Sequence, residues 1–168
     1  WSRELTRMGH TVRIIPPKFV KPSLKGNKND ANDAEAICEA ISRPAMRFVA
    51  VKTERQQTLQ AEHRVRARVI KSRTALCNEI RGFLGEFGVV LPVGISQLRK
   101  ALPEILSQQE QWDDRFMRLL CELAEELRML DDRVAGHDRR LAEAAREDIC
   151  IQRLMKIEGI GVITASAM

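Results

Sequence analysis

WDDRFMRLLCELAEELRMLDDRVAGHDRRLAEAAR, residues 112–146, decides the architecture. Phe116, Leu120, Leu123, Leu127, Leu130, Val134, His137, Leu141 and Ala144 step alternately by 4 and 3 along it, with no Pro to interrupt. That period keeps one apolar seam on one side of a long helix, and its strictness predicts a coiled coil. His137 falls on the seam, where a polar residue more often packs or sets the register than binds a ligand. A second long helix is expected over residues 54–87, with Val69, Leu76, Ile80, Phe83 and Phe87 as its apolar face. The two helices are able to pair within the chain or with another copy.

Outward from these helices the pattern changes. Residues 88–95 read as a Gly/Pro loop and residues 97–106 as a short helix interrupted by Pro103. Toward the start, residues 1–9 read as an amphipathic helix ending at Gly9, and 11–15 (TVRII) as a strand closed by Pro16 and Pro17. A basic loop follows over 18–28, then a helix over 29–42 whose inner face would be Ala34, Ile37, Cys38 and Ile41, then a second strand over 46–51. The expected fold is mostly α with a small α/β part.

Composition agrees. Of 168 residues, 44% are apolar, 30% are charged, and only seven are aromatic, none of them Tyr, which argues against an all-β sandwich. No apolar run approaches the roughly 18 residues of a membrane span, so no membrane partner and a cytoplasmic location are expected. Cys38, Cys77, Cys121 and Cys150 are too far apart for a zinc ribbon and read as small buried thiols. Residues 1–100 carry 19 Lys/Arg against 9 Asp/Glu, while 101–168 carry 9 against 14. A polyanion-binding face therefore belongs in the first hundred residues. The chain opens on Trp1 inside a helical pattern and stops at Met168 just after a Gly-rich turn, which reads as a fragment.

Three stretches carry candidate chemistry. In Lys28-Asn29-Asp30-Ala31-Asn32-Asp33-Ala34, the two carboxylates stand i, i+3 at a helix start, with Cβ atoms about 5–6 Å apart. They suit a hard divalent cation, or they cap the helix and complement its dipole. Lys18, Lys21, Lys25 and Lys28 place phosphate-binding charge beside them. Arg64, Arg66, Arg68, Lys71 and Arg73 form a basic run, either a solvated stripe or a contact to a nucleic-acid backbone; without interleaved aromatics it does not suggest base stacking. Gly159 and Gly161, within IEGIGVITA at 157–165, match a helix-hairpin-helix pattern whose exposed N–H groups receive a phosphate, or they make a tight interhelical turn.

The runs GHTVRIIPPKFVKPSLKGNKNDANDAEAICEAISRP (9–44) and MRFVAVKTERQQTLQAEHRVRARVIKSRTALCNEIRGFL (46–84) resemble the DEDD-type transposases of the IS110 insertion sequences, and the resemblance extends over essentially the whole chain. It implies a partial RuvC-like (RNase H-like) domain over 1–53, a helical coiled-coil region over 54–147, and the start of a C-terminal transposase domain over 148–168. Lys28, Asp30, Asp33 and Ala34 match the family's K-x-D-x-x-D-A motif, which implies that Asp30 and Asp33 are catalytic Mg²⁺ ligands. The family's other two acidic ligands and its catalytic serine find no match here, and Ser166 is not at the serine's position. The resemblance further implies DNA and a structured bridge RNA as partners, a bacterial cytoplasmic setting, and a homo-oligomer through the coiled coil. The alternative is a non-catalytic nucleic-acid-binding or coiled-coil dimerisation module.

Overall fold

The computed structural model describes residues 1–24, 29–108 and 112–168. The chain is mostly helical and divides into two compact units, residues 1–55 and 56–168.

In the first unit, α1 (Ser2–Arg7) ends at Gly9, whose φ of +88° only glycine adopts freely. Helix α2 (Pro17–Val20) starts on a proline, which needs no N–H partner at a helix start, and runs into a single 3₁₀ turn, Lys21–Ser23. Helix α3 spans Asp30–Ile41. The two expected strands are reduced to one isolated antiparallel bridge, in which the Val49 N–H donates to the Ile14 carbonyl at 2.8 Å. Pro16 and Pro17 remove the donors that would have extended the ladder, and a lone pair of short strands is marginal in water.

The expected inner face of α3 is also corrected. Ala36 and Ala40 are fully buried, whereas Ala34 and Cys38 are exposed and Ile37 and Ile41 are 44% and 52% exposed. Helix α3 packs on α2 and the 3₁₀ turn, and the small alanine face lets those backbones approach.

The second unit holds most of α4 (Glu54–Glu86), then α5 (Ile95–Ser107), α6 (Asp114–Glu147), α7 (Ile149–Leu154) and α8 (Val162–Ala167). Helices α4 and α6 run antiparallel within the chain: Arg66 meets Asp138, Arg73 meets Asp131, and Phe87 meets Phe116. Val69, Leu76, Cys77, Ile80 and Leu84 of α4 share one core with Leu98, Leu102 and Ile105 of α5 and Leu120, Leu127, Leu130 and Val134 of α6. The α6 seam is thus filled by α4 and α5. The seam is looser at its ends, where Phe116 and Ala144 are half-buried, and at Leu123 between the buried Leu120 and Leu127. On α4, Leu84 is buried in the core, whereas the expected Phe87 is 53% exposed and meets Trp112 edge-on and Phe116 at a tilt at the end of the helix pair.

Helix α5 continues through Pro103 instead of breaking. Leu98, Leu102 and Ile105 anchor one face of it, which outweighs the single backbone bond the proline removes. Of the four cysteines only Cys77 is buried; Cys38, Cys121 and Cys150 are exposed. A smaller core joins Ala145, Ile151 and Ala165, with Leu59, Leu154, Ile160 and Val162 packed against it, and docks α7 and α8 beside α6.

Candidate nucleic-acid interface and metal-binding pair

The acidic pair sits where α3 begins. Asn29, in an extended conformation, caps the helix: its Oδ1 accepts the Asn32 N–H at 2.7 Å, and its carbonyl accepts the Asp33 N–H at 3.1 Å. Asp30 and Asp33 occupy the first and fourth helical positions and have no side-chain hydrogen bond or ion pair among the described residues. The end of the helix is therefore capped without either carboxylate. Asp30 is exposed and Asp33 half-buried.

Two carboxylates fit a hard divalent cation in donor type and supply two of its roughly six oxygen positions. Among the described residues no group of three or more His, Cys, Asp or Glu side chains converges on a metal site. The pair thus fits as part of a ligand set.

Behind it, the 3₁₀ turn is tied to α3. The buried Ser23 donates its hydroxyl to Glu39 Oε1 at 3.1 Å, while Arg43 Nη2 donates to Ser23 Oγ at 2.5 Å and to Glu39 at 2.9 Å. This clamp holds the segment bearing Lys18 and Lys21 on the same unit as the acidic pair. Both lysines are exposed with no ion pair among the described residues; Lys25 and Lys28 lie outside the described residues.

The basic run on α4 divides into two sets. Arg66 and Arg73 turn toward α6. Arg66 Nε donates to Asp138 at 2.5 Å, and Arg73 Nη1 to Asp131 at 3.1 Å, with Arg99 of α5 closing a fork on the same carboxylate. Arg64, Arg68 and Lys71, at i, i+4 and i+7, stand on the exposed side with no ion pair among the described residues. Glu62, the nearest acidic residue, does not neutralise them. It accepts from His137 Nδ1 and from Arg140 Nε, each at 2.7 Å. Burial acts to raise the Glu62 pKa, but the bonds from His137 and Arg140 outweigh it and hold the carboxyl below its ordinary value. His137, on the seam, is thus a packed polar residue with a partner.

Gly159 and Gly161 lie in the turn between α7 and α8. Gly159 has a φ of +81°, and the Ile160 N–H donates to the Ile157 carbonyl at 3.1 Å, a tight interhelical turn. Ser166 is buried and bonded to His63 Nε2 at 3.0 Å, a pairing not apparent in the sequence because 103 residues separate the two. Ser166 Oγ also lies 2.6 Å from the Val162 carbonyl, one turn back on its own helix. The His63–Ser166 bond fastens α8 to α4.

Sequence comparisons show the family of the chain. The family described as a transposase, of the DEDD IS110 type, matches residues 4–88. The chain is 51% identical over its whole length to the "Probable family 20 transposase" of Pseudomonas aeruginosa, covering 50% of that protein. It is 43% identical over 98% of its length to the transposase for insertion sequence element IS1111A of Coxiella burnetii, covering 46% of it. It is 40% identical over 99% of its length to the transposase for insertion sequence element IS1328 of Yersinia enterocolitica, covering 49% of it. The chain spans about half the length of these curated relatives. No solved structure matches.

Proposed function

The chain belongs to the DEDD transposase family of the IS110 insertion sequences, and from that premise we propose that it supplies a nucleic-acid-gripping body and part of the metal site of a DNA recombinase. The domains assigned are a RuvC-like portion over 1–53, a helical region over 54–147, and the opening of a transposase domain over 148–168. Asp30 and Asp33 are the residues that would hold a divalent cation, Mg²⁺, as catalytic ligands. Held there, such a cation would supply Lewis-acid polarisation of a phosphoryl oxygen.

The chain's own residues do the rest. Lys18 and Lys21, together with Lys25 and Lys28, neutralise phosphates beside the acidic pair. Arg64, Arg68 and Lys71 contact a nucleic-acid backbone along α4, DNA or a structured RNA. Arg66 and Arg73, committed to α6, hold the helix that carries them. A homo-oligomer through the α6 seam would require exchange of α4 between copies, because the seam is already filled. No helix among the described residues is long and apolar enough to cross a membrane, and the setting proposed is the bacterial cytoplasm, where the DNA lies.

The observation that supports the metal reading is the Asn29 cap, which leaves both first-turn carboxylates without a capping hydrogen bond, their remaining structural part being the favourable interaction with the helix dipole. The test is Mn²⁺ titration of ¹⁵N-labelled protein, read as paramagnetic broadening of α3 amide signals. Broadening confined to the first turn in the wild type, and lost in Asp30→Asn with Asp33→Asn, is expected. Broadening unchanged in the double variant would overturn the assignment.

A further inference from the structure

A cavity of about 280 Å³ opens on the first unit, lined by Phe19, Arg43, Ala45, Met46 and Arg47. It lies where α2 meets the turn after α3, a turn closed by the Met46 N–H on the Arg43 carbonyl at 3.1 Å. Its chemistry has two halves. Phe19 offers a ring, and Met46 and Ala45 a thioether and a methyl group, the surface a flat heteroaromatic group packs on. Arg43 and Arg47 offer guanidinium groups, and no carboxylate lines the cavity among the described residues.

The two arginines differ in a useful way. Arg43 is immobilised through Nη2 by Ser23 and Glu39, and its other guanidinium N–H groups have no hydrogen bond among the described residues. Arg47 is exposed and has no partner there at all. Lys18 adds a third cation, with Nζ 5.0 Å from the Phe19 ring centroid. A planar apolar floor beside cations calls for a ligand with a flat ring and a phosphate.

We infer that this cavity seats one unpaired nucleotide of a nucleic-acid strand, its base against Phe19 and Met46 and its phosphate on Arg47 and Lys18. A paired base presents no free face, so the site selects single-stranded over duplex segments. A free mononucleotide shares the ring and phosphate but lacks the neighbouring phosphates that Lys21 and Arg43 would meet. The inference rests on the proposed nucleic-acid role of this unit and adds a strand-state preference to it.

The test is fluorescence anisotropy of the 168-residue chain with a 12-nucleotide single strand, the matching duplex, and dAMP as competitor. Phe19→Leu keeps apolar volume but removes the ring. It should weaken single-strand binding about 5- to 20-fold, the lower part of the range for losing one stacked base, and leave duplex binding within about twofold. Arg47→Gln should lower the single-strand salt slope by about 0.7, and Arg47→Lys should restore it. In the wild type, the Met46 methyl signal should shift with the single strand and stay still with the duplex, a readout that does not depend on any variant folding. Equal losses on both strands with Phe19→Leu, an unmoved Met46 signal, or dAMP binding as tightly as the 12-mer would each overturn the inference. If Phe19→Leu changes nothing while substitutions on α4 weaken binding, the nucleic-acid role stands and this site falls. If no oligonucleotide binds at all, both fall.

Discussion

Substituting Arg64, Arg68 and Lys71 together by Gln removes three exposed cations that stand on one side of α4. Seven residues of helix span about 10 Å, so the three charges reach three successive phosphates of one strand. Each phosphate contact contributes about 0.9 to the slope of log K against log salt on duplex DNA and about 0.7 on a single strand. The triple variant should therefore flatten the slope by about 2.7 on duplex and about 2.1 on single strand. Between 50 and 200 mM salt, wild-type duplex affinity should fall about 40-fold more than that of the variant. Arg66→Gln with Arg73→Gln is the matched control. Those side chains are only 21% and 20% exposed and already face Asp138 and Asp131, so the salt slope should move by less than about 0.5, while stability falls by about 1–3 kcal/mol. Anisotropy titrations at four salt concentrations, with urea melts alongside, read both quantities. A slope that falls equally in the two variants, or in neither, would refute the division of this helix into a phosphate-facing set and an inward set.

The remaining predictions concern the scaffold. Glu62 has a depressed pKa in the fold, so its contribution to stability is present above the ordinary carboxylate pKa and is lost as pH falls through the folded value. Glu62→Gln should accordingly destabilise at pH 7 and converge on the wild type in urea melts as the pH falls through the titration of the folded Glu62 carboxyl; an equal loss across the whole pH range would contradict the His137–Glu62–Arg140 assignment. Asn29→Ala should cost about 1 kcal/mol through loss of the α3 cap, whereas Asp30→Asn, which removes only an exposed charge at the helix start, should cost less than about 0.5 kcal/mol; the two are compared by amide exchange at the start of α3. Leu120→Ala, at a fully buried position, should cost about 2–5 kcal/mol, and a loss below about 1 kcal/mol in the same melts would mean that the α6 seam is not packed as described.

The long helices were legible because their signal is periodic. The 4–3 spacing from Phe116 to Leu141 specifies a seam whatever covers it, and the structure buries Leu120, Leu127, Leu130, Val134, His137 and Leu141 there. What covers the seam was not legible, since apolar periodicity does not distinguish a partner in the same chain from one in another. The basic run was legible as a run, but alternation of Arg with other residues from 64 to 73 cannot say which arginines turn inward. That depends on Asp131 and Asp138, more than 50 residues away. On α3 the spacing pointed to Ala34, Ile37, Cys38 and Ile41, whereas the fold buries Ala36 and Ala40, because closeness of approach, not side-chain size, decides that contact. The Asp pair was visible from its spacing, while the Asn29 cap that releases it was not. The Phe19 cavity draws on residues 24 and more apart, each of them ordinary alone.

Arg66 and Arg73 are seven residues apart on α4, and Asp138 and Asp131 are seven apart on α6. Sliding α6 by one heptad would again set its repeating apolar positions against the apolar face of α4, so the apolar seam by itself tolerates the slip. The ion pairs do not. In one direction Arg66 would find Asp131 but Arg73 would face Ala124; in the other Arg73 would find Asp138 but Arg66 would face Ala145. Either slide leaves an arginine unpaired and draws Glu62 away from His137. The charged rungs act as a vernier: oil-like contacts supply the adhesion, and the polar marks select one alignment among several of nearly equal grip.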